Sequence, residues 1–293
     1  MPGSAKSPAL WMARAAWVLV AVVGGGGIGD AVADRSRAVQ LTATVAAWAI
    51  WAVVAVLLAV PSALGLTLAR MIVPGAVVAA VATLVSAGAT TGSVLAVVTT
   101  ALAAAVVGSA EFGQQMAQAS AYGDERRFLL RPPAAFYLPT VVSWVLWCAA
   151  VLVGPLALAA RSWVLGVAVT AVAVAATWFL LPRFHRLARR WIVLVPAGVV
   201  VHDHVVLAET AMFRAGEITR ARLALADTQA ADLTGPAGGH AVEVAVRDAV
   251  TVVLAGTRDR PNGTALHVYA FLCAPTRPGK LLHALGDRHL PVG

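Results

Sequence analysis

Charge is scarce in this chain. Asp, Glu, Lys and Arg together make up 12% of its 293 residues, against roughly 25% in a soluble globular protein. Histidine is missing from the whole stretch before His185, and only five of the fourteen acidic residues precede that point. The two cysteines, Cys148 and Cys273, are too few for a disulfide framework and match no metal-ligand spacing. They are expected to be free thiols on opposite sides of a lipid boundary. There is no G-x-x-x-x-G-K-[ST], no G-x-G-x-x-G after a strand, no H-E-x-x-H and no G-x-S-x-G, which removes the sequence basis for the common nucleotide, zinc-protease and hydrolase chemistries. No acid, histidine or lysine lies in the middle of an apolar run, which counts against proton- or ion-coupled transport. The expectation is therefore no enzyme, with no cofactor, no metal and no catalytic set.

What the chain does have is hydrocarbon: 60% of its residues are hydrophobic. A membrane-spanning helix needs about 20 mostly apolar residues, and residues 10–28, 41–60, 71–88, 93–110, 139–160 and 162–181 qualify. Within a bilayer every backbone polar group must be satisfied inside the segment, so these runs are expected to be helices. The third and fourth are short, and only Ala89-Thr90-Thr91-Gly92 separates them, so they read as a tight hairpin. Gly25 and Gly29 have GxxxG spacing, which in so small-residue-rich a chain fits tight packing inside one bundle better than a dimer face. Eight tryptophans lie in or beside the spans, several where interface anchors belong.

Basic residues orient the spans. With the N-terminus inside, the inner segments hold Lys6, Arg14, Arg70, Arg126, Arg127, Arg131, Arg183, Arg186, Arg189 and Arg190, and the outer ones Arg35, Arg37 and Arg161. This bias places both the N-terminus and the tail after the last span in the cytoplasm of a plasma-membrane protein. Lys6 and Arg14 also fit the start of a signal peptide, with residues 15–23 as its core and Ala31-Val32-Ala33 as a cleavage site. The run Gly24-Gly25-Gly26-Gly27 separates core and site by more than is usual, which favours a retained span. The net charge of +8 comes from these flanks and not from the tail, where residues 191–293 hold nine basic and nine acidic side chains. Nucleic acid is not an expected partner.

The chain thus divides into a helical membrane domain, residues 1–182, a basic juxtamembrane linker, residues 183–190, and a water-soluble domain, residues 191–293. Arg183, Arg186, Arg189 and Arg190 of the linker are expected to contact anionic lipid headgroups, an attraction of about 1 kcal/mol per charge. The longest inner loop carries Asp124, Glu125, Arg126 and Arg127, a candidate interaction surface facing the tail. Its residues 111–120 are expected to extend the fourth helix, with Glu111 at headgroup depth. His202-Asp203-His204 places two histidines on one face of a strand, but no third ligand is near, so the triplet is expected to be a solvent-exposed strand end.

Past Arg190 the periodicity turns strand-like. Residues 191–195, 199–202, 205–208, 212–214, 218–225, 242–246, 251–254 and 266–272 are strand candidates. Pro196-Ala197-Gly198 is a turn, and a short helix covers 280–285 behind Pro278. About seven strands closed by a helix resembles the bacterial pleckstrin-homology-like domains that follow transmembrane helices. The carrying residues are Trp191-Ile192-Val193-Leu194-Val195-Pro196-Ala197-Gly198-Val199-Val200-Val201-His202-Asp203 and Phe271-Leu272-Cys273-Ala274-Pro275-Thr276-Arg277-Pro278-Gly279. The whole chain is similar to multi-pass membrane proteins of high-GC actinobacteria that end this way. The resemblance implies a bundle of about six transmembrane helices with a small β-rich PH-like domain. It also implies a non-enzymatic scaffold or regulatory role, with a protein partner, self-association or the inner loop as the bound element. The alternative is a transporter, or a transport-complex subunit, for a neutral or lipidic substrate, its path lined by Thr83, Ser86, Thr99 and Thr100.

Overall fold

The computed structural model describes residues 8–256 and 261–293. Lys6 and the middle of the loop expected at 256–263 lie outside them. The described chain divides into two compact units. The first takes in the chain as far as Met116 together with Thr140–Phe184, and the second joins Ala117–Pro139 to His185–Gly293.

The first unit holds six helical stretches long and apolar enough to cross a membrane. The first is broken into α1 (Pro8–Val22) and α2 (Gly26–Val32) at the glycine run. Then come α3 (Arg37–Ala59), α4 (Ala63–Ala87) and α5 (Thr91–Gly108). A short helix, α6 (Ala110–Gln118), leads out of the unit, and α7 (Tyr137–Ala159) and α8 (Trp163–Ala188) complete the set. Local sequence fixes the starts. Ser36, Ser62 and Thr90 each accept a hydrogen bond from the backbone N–H three residues on, satisfying a donor that the first turn leaves open. The third span starts at Ala63, earlier than hydropathy suggests, and is not short. The 111–120 extension is instead a separate helix, because Ser109 ends α5 in extended backbone and caps α6 by accepting from Phe112 N–H at 3.1 Å.

Close packing in this unit uses glycine, but not at the GxxxG pair. A Cβ on Gly24 would meet Thr99 Oγ1 at 2.8 Å, and one on Gly27 would meet the Gly92 carbonyl at 3.0 Å, whereas one on Gly29 would meet nothing. Four of the eight tryptophans in or beside the spans spend their indole N–H inside the unit. Trp17 and Trp51 each donate to the other's backbone carbonyl, at 2.9 and 3.0 Å. Trp144 donates to Met71 O and Trp147 to Thr177 Oγ1. In hydrocarbon an indole N–H without a protein acceptor is costly, which favours these bonds. Two of the arginines counted as loop residues lie on helices and cap others. Arg14 donates to the carbonyls of Leu58 and Ala59 at the end of α3, and Arg70 to those of Val107 and Ser109 at the end of α5.

The second unit is built of two four-stranded sheets. Strand β1 (Arg126–Leu129) comes from the inner loop. It pairs antiparallel with β2 (Trp191–Val195), β2 with β3 (Gly198–His202), and β3 with β4 (Ala211–Arg214). The other sheet has β5 (Ile218–Leu223), β7 (Val242–Leu254), β8 (Thr264–Cys273) and β6 (Ala231–Asp232), side by side in that order. Helix α9 (Pro278–Asp287) closes the unit. Period-two alternation sends Phe128, Ile192, Leu194, Val199, Val201 and Phe213 into the core, where they meet Val242, Val244, Phe271, Leu281 and Leu285. The rings of Phe213 and Phe271 stack at 4.3 Å. Gly198 makes the β2–β3 turn possible. It has φ +149°, and a Cβ there would lie 2.1 Å from the Phe213 carbonyl.

Among the described residues seven strands fall between Trp191 and Gly293, with different divisions from those expected. Residues 242–246 and 251–254 are one strand. Residues 205–208 are a turn whose Leu207 makes only an isolated bridge to Leu254. The domain boundary at 191 needs correction, because residues 117–139 belong to the same unit. Residues 183–190 are not a free linker either. Helix α8 runs to Ala188, and the Arg190 carbonyl accepts from Leu130 N–H at 2.9 Å.

Candidate functional site

The loop residues singled out from sequence are structural members of the second unit. Arg126 pairs across the sheet with Leu194 and Arg127 with Val193, while Leu130 bridges to Pro275. Arg126 also forms a 2.7 Å ion pair with Asp287 of α9, and Asp124 one of 3.2 Å with Arg288. Glu125 holds Arg127 at 2.9 Å. Burial pushes the Glu125 carboxyl up. The Tyr122 N–H and the Arg127 guanidinium outweigh it and hold the group below the usual range. The loop's self-interaction is thus a strand joined to a sheet, with its polar residues tying the edges.

The basic run splits into four different environments. Arg183 donates to Phe179 O at 2.7 Å and lies over the Phe179 ring. Arg186 donates to the His204 carbonyl. Arg189 is exposed. Arg190, expected at lipid headgroups, is fully buried. Its Nε and Nη2 meet the Asp203 carboxylate at 2.7–2.9 Å, its Nη1 donates to the Arg131 carbonyl, and its Nη2 also donates to Thr234 O at 3.0 Å. A charge so enclosed cannot touch lipid. It persists because each of its three nitrogens donates to a carboxylate or a carbonyl. Asp203 in turn accepts from Val205 N–H at 3.1 Å.

That pair also corrects the reading of His202-Asp203-His204 as an exposed strand end. Asp203 is buried, and His202 is half-buried, stacked on Trp191 with ring centroids 5.6 Å apart. His204 meets His202 edge-on at 4.5 Å. His202 Nδ1 shares a hydrogen bond with Thr210 Oγ1 at 3.2 Å, while its buried Nε2 has no partner. The His202 pKa is lowered to about 4, chiefly by burial and then by the charges of His204, Arg189 and Arg127, against a smaller upward pull from Asp203. Among the described residues no group of three or more His, Cys, Asp or Glu converges as a metal site.

Trp191, Val193, Val200 and His202 lie on the face of the first sheet opposite its core residues Ile192, Leu194, Val199 and Val201. Trp191 pairs with His202 across β2 and β3, and Val193 with Val200. The Arg127 guanidinium lies 4.9 Å and that of Arg189 6.0 Å from the Trp191 ring centroid, within the range of cation–π attraction. Together with Glu125 and Val195 they line a groove of about 250 Å³. Sequence reasoning found each of these charged residues separately. It missed their convergence, because the Arg127 strand and the Trp191 strand are two membrane spans apart in the chain.

The first unit holds a second feature, an apolar cavity of about 730 Å³ bordered by Trp17, Trp51, Thr83, Thr100 and Cys148 among others. The threonines expected to line a path turn their hydroxyls to their own helices. Thr83 Oγ1 donates to Ala80 O at 2.7 Å and Thr100 Oγ1 to Ala96 O at 2.6 Å. Ser86 donates to Thr83 O, and Thr99 to Leu95 O. No protein-family model, curated protein or solved structure matches this chain.

Proposed function

We propose that this chain is a non-enzymatic integral membrane scaffold or regulatory protein, and that its β-rich unit is a cytoplasmic PH-like interaction module. The observation that carries the reading is β1. The β unit is held by three chain connections, through α6, α7 and α8, and one of its core strands lies between two spans. A change at the module is thereby linked covalently to three helices, which suits a relay or anchor better than a freely tethered binding domain. The buried charges support the non-enzymatic side of the reading. Arg190 with Asp203, and Glu243 with Arg220 and Arg222, are committed to ion pairs. The excess of basic residues on one side of the spans supports an inner-face module in the plasma membrane. The test is site-directed photocrosslinking in intact membranes, with the crosslinker at Met212 or Tyr269, both exposed on strands of the module. A discrete adduct to a second protein or a second copy is expected. A complete lack of protein adducts at both positions would overturn the scaffold reading.

The apolar cavity favours a second reading, a transporter or transport-complex subunit for a lipidic substrate. Its volume falls in the ligand-pocket range, about 300–1,000 Å³, and the self-satisfied threonine hydroxyls match a hydrocarbon guest. A diazirine-bearing fatty acid should label the α7 segment around Cys148, and Cys148→Trp should reduce that labelling by occupying part of the space. Equal labelling of the variant would sink this reading.

A further inference from the structure

We propose that the apolar cavity of the membrane unit is a binding site for a lipid whose body is a rigid, planar system of fused rings, and that it discriminates against straight acyl chains. The inference rests on the second reading above, in which the cavity holds a lipidic guest, and it narrows the class of that guest. It does not depend on whether the guest is transported.

Two kinds of wall line the cavity. The first is aromatic, made by Trp17, Trp48, Trp51 and Trp147. These residues lie within α1, α3 and α7, away from the ends of the spans Pro8–Val32, Arg37–Ala59 and Ala134–Ala159. Tryptophans that anchor a span to the headgroups gather at its ends, so these four need another role. Three have their polar edge engaged. Trp17 and Trp51 donate to each other's backbone carbonyl, and Trp147 donates to Thr177 Oγ1. Trp48 packs edge-on against Trp51, with ring centroids 5.8 Å apart and planes at 77°. The rings are thereby held in place, which lowers the ordering cost of binding, and what they offer a guest is flat carbon surface.

The second wall is bare backbone. Gly25, Gly26 and Gly29 line the cavity and are exposed. Gly26 and Gly29 belong to α2, neither has a positive φ, and a Cβ on either would meet nothing within 4 Å. Turn geometry and close helix approach therefore do not account for them, whereas close approach does account for Gly24 and Gly27. Glycine inside a helix is unfavourable. What the missing side chains provide at these two positions is space within the cavity. A helix face without side chains and a set of fixed indoles both suit a flat, stiff body, which brings little conformational freedom to lose. A flexible chain loses more on being ordered there. The volume, about 730 Å³, lies within the ligand range of about 300–1,000 Å³. The Thr83 and Thr100 hydroxyls that also line it are bonded to their own helices, which suits an apolar ring body.

The test uses the intact protein in phosphatidylcholine nanodiscs. A cholesterol analogue with a diazirine on its ring system and a diazirine-bearing palmitate are photolysed in separate samples, and labelled peptides are mapped by mass spectrometry. The sterol probe should label α1, α3 or α7 saturably around the four tryptophans. Excess cholesterol should suppress that labelling, and the same excess of palmitate should not. Trp48→Leu should weaken sterol labelling about threefold or more, in line with loss of an aromatic contact, and leave palmitate labelling unchanged. Gly29→Leu should weaken sterol labelling about tenfold or more by overfilling the site. Gly108→Leu, where a Cβ also meets nothing but which does not line the cavity, should leave it unchanged. Equal suppression by palmitate, equal loss of both probes in Trp48→Leu, or sterol labelling unaffected by Gly29→Leu would overturn the proposal. Labelling of the cavity by palmitate without preference for the sterol would overturn it while leaving the lipid-cavity reading intact, and no labelling by either probe would overturn both.

Discussion

Single residues in the β unit differ sharply in what their loss should do. Asp203→Ala strands the fully enclosed Arg190 guanidinium, and removing one partner of a buried pair costs about 3–5 kcal/mol. Glu243 is also buried, but its partners Arg220 and Arg222 are partly exposed and can regain water. Burial raises the Glu243 pKa, and its hydrogen bonds and charge contacts with the two arginines outweigh this and hold it low. Glu243→Ala should therefore cost less, about 1–3 kcal/mol. Hydrogen exchange of the intact protein in urea, followed on β2, β3 and β7 peptides, ranks the two, and a larger loss for Glu243→Ala would contradict the burial argument. His202 makes a pH prediction. Its folded pKa is lowered to about 4, below an unfolded value near 6.5. Below about pH 6.5 the unfolded chain takes up a proton that the folded one refuses. Stability is then full above that pH and falls as pH drops toward 4. Histidine His204, the arginines Arg127 and Arg189, and the carboxylates Asp203 and Glu125 are the charged groups around it. His202→Phe keeps a ring on Trp191, so thermal unfolding at pH 7.5 and pH 5 should differ less for the variant than for the native chain. The Cys273 thiol, pushed up to about 12 chiefly by burial, should resist alkylation until the unit unfolds.

Among the elements, β1 decides the most. Its Phe128 and the adjoining Leu130 are core residues, and without it the β2 edge and part of the core lie open. Residues 185–293 produced alone should aggregate, as exposed strand edges do, and a fusion that restores 117–139 should make them soluble and monomeric in size-exclusion chromatography. Solubility of the shorter piece would show that β1 is dispensable. Part of this was legible. Phe128-Leu129-Leu130 is an apolar triplet between the charged run Asp124-Glu125-Arg126-Arg127 and Arg131-Pro132-Pro133, the mark of a segment with somewhere to bury. Its partner was not legible, since local alternation says that a strand wants a neighbour and never which one. The β2–β3 hairpin was read correctly because its pairing is local and Gly198 enforces the turn.

At the scale of the whole molecule, β1 constrains topology independently of the charge bias. It shares a sheet with β2, so the loop after α6 and the tail after α8 lie on one side of the membrane, with two spans between them. Reporters inserted at Gly123 and fused after Gly293 should score alike, and one inserted at Gly88, a turn with φ +79° across a single span from that loop, should score opposite. Discordant reporters at Gly123 and Gly293 would refute the shared sheet. Arg14 and Arg70, counted as loop charges, are helix residues that cap α3 and α5 through bonds to their last carbonyls. An arginine near a helix end satisfies open carbonyls as well as marking a side.

The sequence alone determined the six apolar helices, the strand-rich tail with its closing helix, and the scarcity of charge that separates them. Each follows from hydropathy and period, which act over a few neighbouring residues. Tertiary structure alone decided the rest. It showed that Arg190 of the basic run is buried against Asp203 while Arg189 is exposed, and that a loop strand completes a sheet. It also brought Arg127, Trp191 and His202 to one groove and left a hydrocarbon-lined cavity among the helices. The physical reason is that burial and pairing are chosen between segments far apart in the chain, where a basic run or an apolar triplet carries no record of its partner.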